Sequence, residues 1–593
     1  MKTSSSKQHI SVEVSTSSSA QLVTQTNRDI VARWLQIGFW VMGTVLGFCH
    51  AWANHHYLVN SDAMSYLDIA EAYLRGDWQA AINSYWSPLY SWLIAVAFWI
   101  VRPSPYWKFS VLHMVNYAIY LFALGCFAFF IGELAKFHRG LRETLHARKL
   151  VNLPTWAWFA LGYPLFIWSA LYLVRISEES PDLLVAAFVY LTCGILTRLR
   201  RKPATLPPFI FLGIVLGIGY LAKTVMLPLS FVFMLASILG VGSLRKSLGR
   251  VLVAFATFLL VVSPFIIAIS HAKGRFTFGD SGKLNYLWSI NGVVVPHWQG
   301  EEPGYGMPKH ATRRILAFPE VYEFAGRPGT YPVWYDPVYW YEGSISHFDF
   351  GGQSKIILKS FMAFYDLFSK WGLQYGLLVG LLFLYLWSER YRKLVDDLAP
   401  FWYLLIPTLA GIGIYFLVNV QGRYIASFLV LLWLIFFSAV RLNDSEDSQR
   451  LIANMTIIIM VVMSGTILAS SSAEARLTAR YLVNGENSSA HEQWLVAEGL
   501  RQMGLEQGDN VAFIGKSTRA FWAYLAGLRI IAEIDVRSVD DFWVADRSAR
   551  KEVLKAFATT GAKAVVTEKP PNHGDVGDFL KIGNTDYYAY MLR

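Results

Sequence analysis

Cysteine is nearly absent: the 593-residue chain has three, Cys49, Cys126 and Cys193. Each lies inside an apolar run, which excludes a disulfide framework and a cysteine-based metal site. No group of His, Asp and Glu has ligand spacing either, so neither a metal nor another cofactor is expected, and a divalent ion has no support in the sequence. Gly515 follows a predicted strand alone, with no G-x-G-x-x-G around it, which argues against a nucleotide site. Internal repeats are lacking. Charge is sparse, at 16% of residues. The net charge of +10 does not point to nucleic acid, because Lys and Arg fall in short clusters between apolar runs, as cytoplasmic loops require.

What the chain has is apolar length. It is 54% hydrophobic and 16% aromatic, with runs of about 17 to 25 residues, enough for a helix to cross a bilayer. They lie at 33–53, 109–134, 153–174, 181–198, 206–222, 225–243, 250–270, 371–388, 399–418, 423–441 and 451–470, and predict a mainly α, polytopic membrane protein of about eleven transmembrane helices. Basic connections at Lys136–Lys149, Arg198–Lys202, Arg245–Arg250 and Arg390–Lys393 mark the cytoplasmic side. Leu89–Val101 would break this alternation if it spanned, and at about 13 residues it is too short. It is read as a membrane-hugging part of a first exterior loop, 54–108.

The same alternation places the domains. Residues 1–31, rich in Ser, Thr and Gln, read as a disordered cytoplasmic tail before an uncleaved anchor. Residues 32–471 form the membrane domain, with a long exterior loop at 271–370 that is dense in aromatics and too long for a mere connector. Residues 472–593 read as a small exterior α/β domain: strands at Val511–Ile514, Arg529–Ile534, Ala564–Thr567 and Tyr587–Leu592, helices at Phe521–Gly527 and Arg550–Thr560. The chain is expected in the cytoplasmic (plasma) membrane, N-terminus inside and C-terminal domain on the exterior or periplasmic side.

Asp62 follows the first span and precedes a predicted helix at Ala63–Leu74. It reads either as a helix N-cap or as a functional acid at the interface. Glu178, Glu179 and Asp182 share one tight turn. Glu179 and Glu178 rank above Asp182, which opens the next helix, where a carboxylate suits the positive dipole end. Arg423, Lys223 and Arg175 sit at exterior span ends, where they hold a phosphate or snorkel to headgroups. In the long loop, Asn285, Tyr286, Tyr339 and Trp340 are candidates for contact with a sugar or acceptor, interfacial anchoring being the alternative.

The stretch Ser61-Asp-Ala-Met-Ser-Tyr-Leu-Asp-Ile-Ala-Glu-Ala-Tyr-Leu-Arg-Gly-Asp-Trp, then Trp86-Ser-Pro-Leu-Tyr, resembles the first exterior loop of GT-C glycosyltransferases. The closest likeness is to the protein mannosyltransferase and aminoarabinose transferase branch, family 39. The sequence departs from that pattern at Ala63, where the family has a second acid, and at Ser87-Pro88, where it has two prolines. The basic turn after the second span, the acidic turn, Gly219-Tyr-Leu-Ala-Lys-Thr and Gln421-Gly-Arg-Tyr extend the resemblance. It implies a GT-C fold and an inverting hexosyl- or pentosyltransferase. Such an enzyme moves a sugar from a polyprenyl-phosphate donor to a lipid, glycan or protein acceptor at the outer membrane face. Asp62 would then be the base, with Glu178 or Glu179 as the second acid and Arg423, Lys223 and Arg175 on the phosphate. The alternative is a non-catalytic transporter or flippase of lipid-linked substrates, for which repeats and midplane charges would be expected.

Overall fold

The computed structural model describes residues 6–144, 150–151, 153–201, 205–239, 244–324, 326–369, 373–387, 394–440, 442–443, 445–484, 492–568 and 576–592, with side chains for most of these from residue 29 onward. The protein is mainly α. Among the described residues, eight helices are long and apolar enough to cross a membrane: Asp29–Ala53, Pro105–Leu141, Thr155–Val174, Asp182–Arg201, Ser247–Lys273, Val395–Phe416, Gly422–Ala439 and Glu446–Ser470. They correspond to eight of the expected spans. The other three runs form shorter apolar helices, Pro207–Ala222, Met226–Leu239 and Leu373–Trp387. A helix satisfies its own backbone hydrogen bonds, which is why apolar runs in a bilayer take this form. The expected disordered tail lies mostly outside the residues whose side chains are described; the first helix is bounded at Ser6–Ala53.

Small residues set how closely these helices approach. A Cβ added at Gly213 would lie 2.2 Å from the Ala254 carbonyl oxygen, and one at Gly217 would lie 2.7 Å from Val261. The two glycines, four positions apart on one face of Pro207–Ala222, bring that helix onto Ser247–Lys273 by backbone contact, as small residues do between membrane helices.

The first loop folds as its turn residues dictate. Helix Ala63–Arg75 ends at Gly76, whose φ of 70° is left-handed and whose amide donates to the Ala72 and Tyr73 carbonyls, a glycine C-cap. Asp77 then caps the short helix Trp78–Ala81, accepting from the Ala80 amide at 3.1 Å. Leu89–Val101 lies in a 14-residue helix, Pro88–Val101, with Pro88 in its first turn, where the missing N–H costs nothing.

The expected C-terminal strands are present as Asn510–Gly515, Arg529–Asp535, Ala564–Glu568 and Tyr587–Met591. They belong to a seven-stranded sheet in which Asn510–Gly515 is parallel to both of its neighbours. The long loop contributes the two outermost strands on one side, Arg313–Ala317 and Glu320–Glu323, the latter pairing antiparallel with Arg529–Asp535. Loop and C-terminal segment therefore share one sheet. The long loop also carries helices Ser281–Ser289 and Phe350–Ser369.

Candidate active site

Asp62 occupies the N-cap position of Ala63–Arg75 yet makes no capping hydrogen bond. Its carboxylate turns instead toward the long loop and toward the helix Gly422–Ala439. Oδ1 accepts from the Trp334 indole Nε1 at 3.2 Å, and Oδ2 lies 4.0 Å from Arg423 Nη2. The cap alternative weighed from sequence is thus used at Asp77 and not at Asp62.

Arg423 is the hub. It stands in the first turn of Gly422–Ala439, its side chain 11% exposed, with Nη1 2.6 Å from Glu178 Oε1 and Nε 3.5 Å from Asp182 Oδ2. Lys223, just past the end of Pro207–Ala222, brings Nζ to 2.5 Å from Asp182 Oδ1 and to 4.0 Å from the Tyr424 ring centre. Arg175 reaches Glu178 Oε2 at 3.2 Å from a more exposed position. Three carboxylates thus face three cations. Asp62 is the least compensated, with its nearest cation at 4.0 Å against 2.6 Å for Glu178.

Burial pushes the Asp62 carboxyl above its ordinary range, against the pull of Arg423, the Trp334 hydrogen bond and Lys223. The Glu178 carboxyl is raised by burial too, opposed by Arg423 and Arg175. Asp62, desolvated and 4.0 Å from its nearest cation, is equipped to take up a proton.

The acidic turn splits its carboxylates. Helix Thr155–Trp168 widens into a π-helical turn, Ser169–Val174, which ends at Arg175 with φ of 60°. Asn116 holds the turn by donating to the Ile176 carbonyl at 3.1 Å. Glu178 and Asp182, four apart, enter the charged cluster; Glu179 points the other way. The expected order, with Glu179 and Glu178 ahead of Asp182, therefore differs from the placement found. Glu179 is fully buried and accepts from the Val59 amide at 3.1 Å and the Asn60 amide at 2.9 Å, with His113 Nε2 3.4 Å from its other oxygen. Burial raises its pKa to about 8 despite those amides.

Of the four long-loop candidates, Asn285 alone lies beside Tyr85 of the first loop, and its side-chain amide donates to the Ser281 carbonyl at 2.8 Å. Tyr286 borders a cleft with Lys283 and His347. Tyr339 is stacked on His310 at 4.1 Å with Arg327 over its ring at 3.8 Å. Trp340 is buried and donates to the Pro332 carbonyl at 3.0 Å, a support of the loop itself. The aromatic wall beside Asp62 is built from Tyr85, Trp288 and Trp334, with Trp288 and Trp334 stacked at 5.8 Å. Nothing in the sequence separates Trp334 or Trp288 from the loop's other aromatics.

Next to this wall, Lys273, Arg275, Lys283 and Lys309 line a cavity of about 150 Å³ together with Asp280 and Glu342. Asp280 donates its amide to the Ser84 carbonyl at 2.7 Å, which joins the cavity to the first loop. Lys283 donates to the Ser344 carbonyl at 2.6 Å, and burial, then Arg275, lowers its pKa. Among the described residues no group of three or more His, Cys, Asp and Glu has the geometry of a metal site.

No family model matches the sequence. No curated protein matches it either. Among solved structures, the chain is similar to ArnT from Cupriavidus metallidurans in the apo state, at 11% identity and TM-score 0.47, over 97% of this chain and 98% of that one. ArnT bound to undecaprenyl phosphate matches at 13% identity and TM-score 0.43, over 93% and 97%. The oligosaccharyltransferase AglB from Archaeoglobus fulgidus, in complex with an inhibitory peptide and a dolichol-phosphate, matches at 13% identity and TM-score 0.47, over 90% and 69%. At TM-scores below 0.5 the likeness is distant, and the chemistry of the cavity is carried by this chain's own residues.

Proposed function

We propose that the protein is a membrane glycosyltransferase that moves a sugar from a polyprenyl-phosphate donor to an acceptor hydroxyl at the exterior face of the cytoplasmic membrane. The observation that carries this reading is the placement of Asp62: a half-buried carboxylate, off its cap, facing an aromatic wall and a balanced cluster of acids and cations. Asp62 takes the proton of the acceptor hydroxyl. The hydroxyl oxygen attacks the anomeric carbon from the face opposite the phosphate, the glycosidic bond forms with inversion, and the polyprenyl phosphate leaves with the bonding electrons.

Each remaining group has a part in that step. Arg423, braced by Glu178 and Asp182, keeps a cation beside Asp62 without forming a close pair that would hold it ionised. The leaving phosphate needs positive charge. Lys223 and Arg423 are largely matched by acids, whereas Lys283 in the neighbouring cavity has a backbone carbonyl as its partner. Lys283 is therefore the cation freest to take the phosphate, beside Lys273, Arg275 and Lys309, which are paired with Asp336, Asp280 and Glu342; it joins the sequence-based candidates Arg423, Lys223 and Arg175. Glu179 fastens the first loop to the acidic turn and takes no part in proton transfer. Tyr85 and Trp334 supply flat apolar faces for the sugar ring.

The test compares cells of the native host that carry the wild-type protein, Asp62→Asn, or none, by mass spectrometry of envelope glycans, glycolipids and glycoproteins. The expected result is a glycan product that Asp62→Asn removes by at least about a hundredfold, as loss of a general base does, while the protein stays in the membrane at its normal level. A product made at the wild-type level by Asp62→Asn would overturn the reading and leave the transporter alternative.

A further inference from the structure

The Trp334 indole that donates to Asp62 belongs to a short helix, Pro332–Tyr335, whose position is not set by the membrane domain alone. The residue before it, Tyr331, accepts the Trp334 and Tyr335 amides on its carbonyl at 3.1 and 3.0 Å. Its hydroxyl reaches into the C-terminal sheet, where it donates to Glu533 Oε1 at 2.7 Å.

Glu533 lies in the strand Arg529–Asp535 and is 1% exposed. The same oxygen accepts from His297 Nε2 at 2.5 Å, and His297 is held in turn by Thr312 Oγ1 at 3.1 Å and stacked on Tyr322 at 4.3 Å. Two segments of the long loop, around His297 and around Tyr331, thus converge on one carboxylate of the C-terminal sheet. Backbone pairing runs beside it: Tyr322 and Glu323 pair with Glu533 and Ala532, Phe324 donates its amide to the Ile531 carbonyl at 2.9 Å, and the Ile530 amide donates to the Thr330 carbonyl at 2.9 Å.

On its other side the segment is pinned to the first loop. The Thr330 amide and hydroxyl donate to Asp68 at 2.7 and 2.9 Å, Ser65 Oγ donates to the Trp334 carbonyl at 3.0 Å, and Asn83 donates to the Tyr335 carbonyl at 2.7 Å. A carboxylate buried with two donors is costly unless its bonds are kept, so it holds both donors in place. We propose that Glu533 is a positioning residue for the site: through Tyr331 it fixes the helix that aims Trp334 at Asp62, which makes the C-terminal sheet part of the active site's frame. This rests on the reading of Asp62 as the base, and gives the C-terminal segment a function within it.

The test uses the full-length protein in detergent and an apolar carbodiimide, which modifies protonated carboxyl groups and needs no sugar donor. Modification of Asp62 is followed by peptide mass spectrometry from pH 5 to 8.5. The other groups around Asp62, namely Arg423, Lys223, Asp182, Glu178, Tyr66 and Tyr85, are unchanged in every variant. Losing the indole donor removes a hydrogen bond to the charged form. Trp334→Phe therefore moves the labelling midpoint up by about one pH unit, or about tenfold at a fixed pH above the midpoint. Glu533→Ala produces the same shift, the double variant adds nothing further, and Glu533→Gln, whose amide oxygen still accepts from Tyr331, stays near wild type. Tyr331→Phe removes the hydroxyl alone and serves if Glu533→Ala does not fold. A folded Glu533→Ala or Tyr331→Phe protein with the wild-type midpoint overturns the proposal, as does an unshifted Trp334→Phe. Asp62→Asn that keeps making glycan product overturns the enzymatic reading instead, and leaves the labelling result standing.

Discussion

Glu178 and Glu179 are neighbours in sequence and meet opposite fates. Glu178 enters a cluster of charges, with Arg423 Nη1 at 2.6 Å and Arg175 at 3.2 Å. Glu179, fully buried, meets the amides of Val59 and Asn60 instead. The first environment stabilises charge with cationic side chains. The second uses fixed backbone donors from the first loop, which it clamps to the acidic turn. Two carboxylates one residue apart therefore divide between a charged cluster and a backbone clamp, and the division is set by which way each side chain leaves the turn.

The sharpest way to break the comparison is to take the cation from the charged side. Arg423→Met leaves Glu178, Asp182 and Asp62 without their shared partner, and breaking a buried pair from one side costs about 3–5 kcal/mol. Burial already raises the Asp62 and Glu178 carboxyls in the folded protein, and without Arg423 they rise further. A carboxyl raised on folding binds its proton more tightly in the native state, so the penalty is present at high pH and fades as pH falls into the ordinary carboxylate range. Melting of Arg423→Met against wild type in detergent should thus show its largest deficit near pH 8 and a smaller one near pH 5. A deficit that does not change with pH would mean that Arg423 acts by packing.

Glu179→Ala tests the other side. It removes the acceptor of two buried amides, at a cost of about 1–3 kcal/mol, and loosens the first loop. Proteolysis or hydrogen exchange of residues 54–62 should rise while the charged cluster keeps its partners. A variant as protected as wild type at Val59 and Asn60 would show that the clamp is not what holds the loop.

How much of this was legible before the structure follows from the range of each interaction. Apolar length is a local property, so all eleven runs emerge as helices, and Leu89–Val101 falls in a helix of 14 residues. The four C-terminal strands lie within a residue of expectation because alternation and turn residues fix them locally. The hairpin Arg313–Ala317 and Glu320–Glu323 escaped notice: it is short and arginine-rich, and its partner Arg529–Asp535 lies some two hundred residues on. At the site, Asp62, Glu178, Arg423 and Lys223 converge as their span-end positions implied. The dipole argument for Asp182 holds for its backbone position, and its contacts with Lys223 and Arg423 come from distant helices that no local signal reports. Trp334 was one aromatic among many, and only its hydrogen bond to Asp62 distinguishes it.

The finest distinction between the two neighbours is electrostatic, and Glu179→Gln isolates it. The amide oxygen still accepts from Val59 and Asn60, so the clamp survives and only the titration is lost. In the wild type, burial holds the Glu179 carboxyl at about 8 instead of its ordinary 4.5. Its folded value is therefore above its unfolded one, and the native state binds the extra proton between these limits. The stability this proton brings is fully present below about 4.5, declines as pH rises, and is gone above about 8, where a buried charge must be carried. Glu179→Gln carries no such charge, so its melting temperature should gain on wild type from pH 5 to about pH 8 and hold that lead at pH 9. The background slope from Asp68, raised by burial to about 7, is common to both proteins and cancels in the difference. Two parallel melting curves across that range would place the Glu179 proton elsewhere and return the turn's two acids to equal standing.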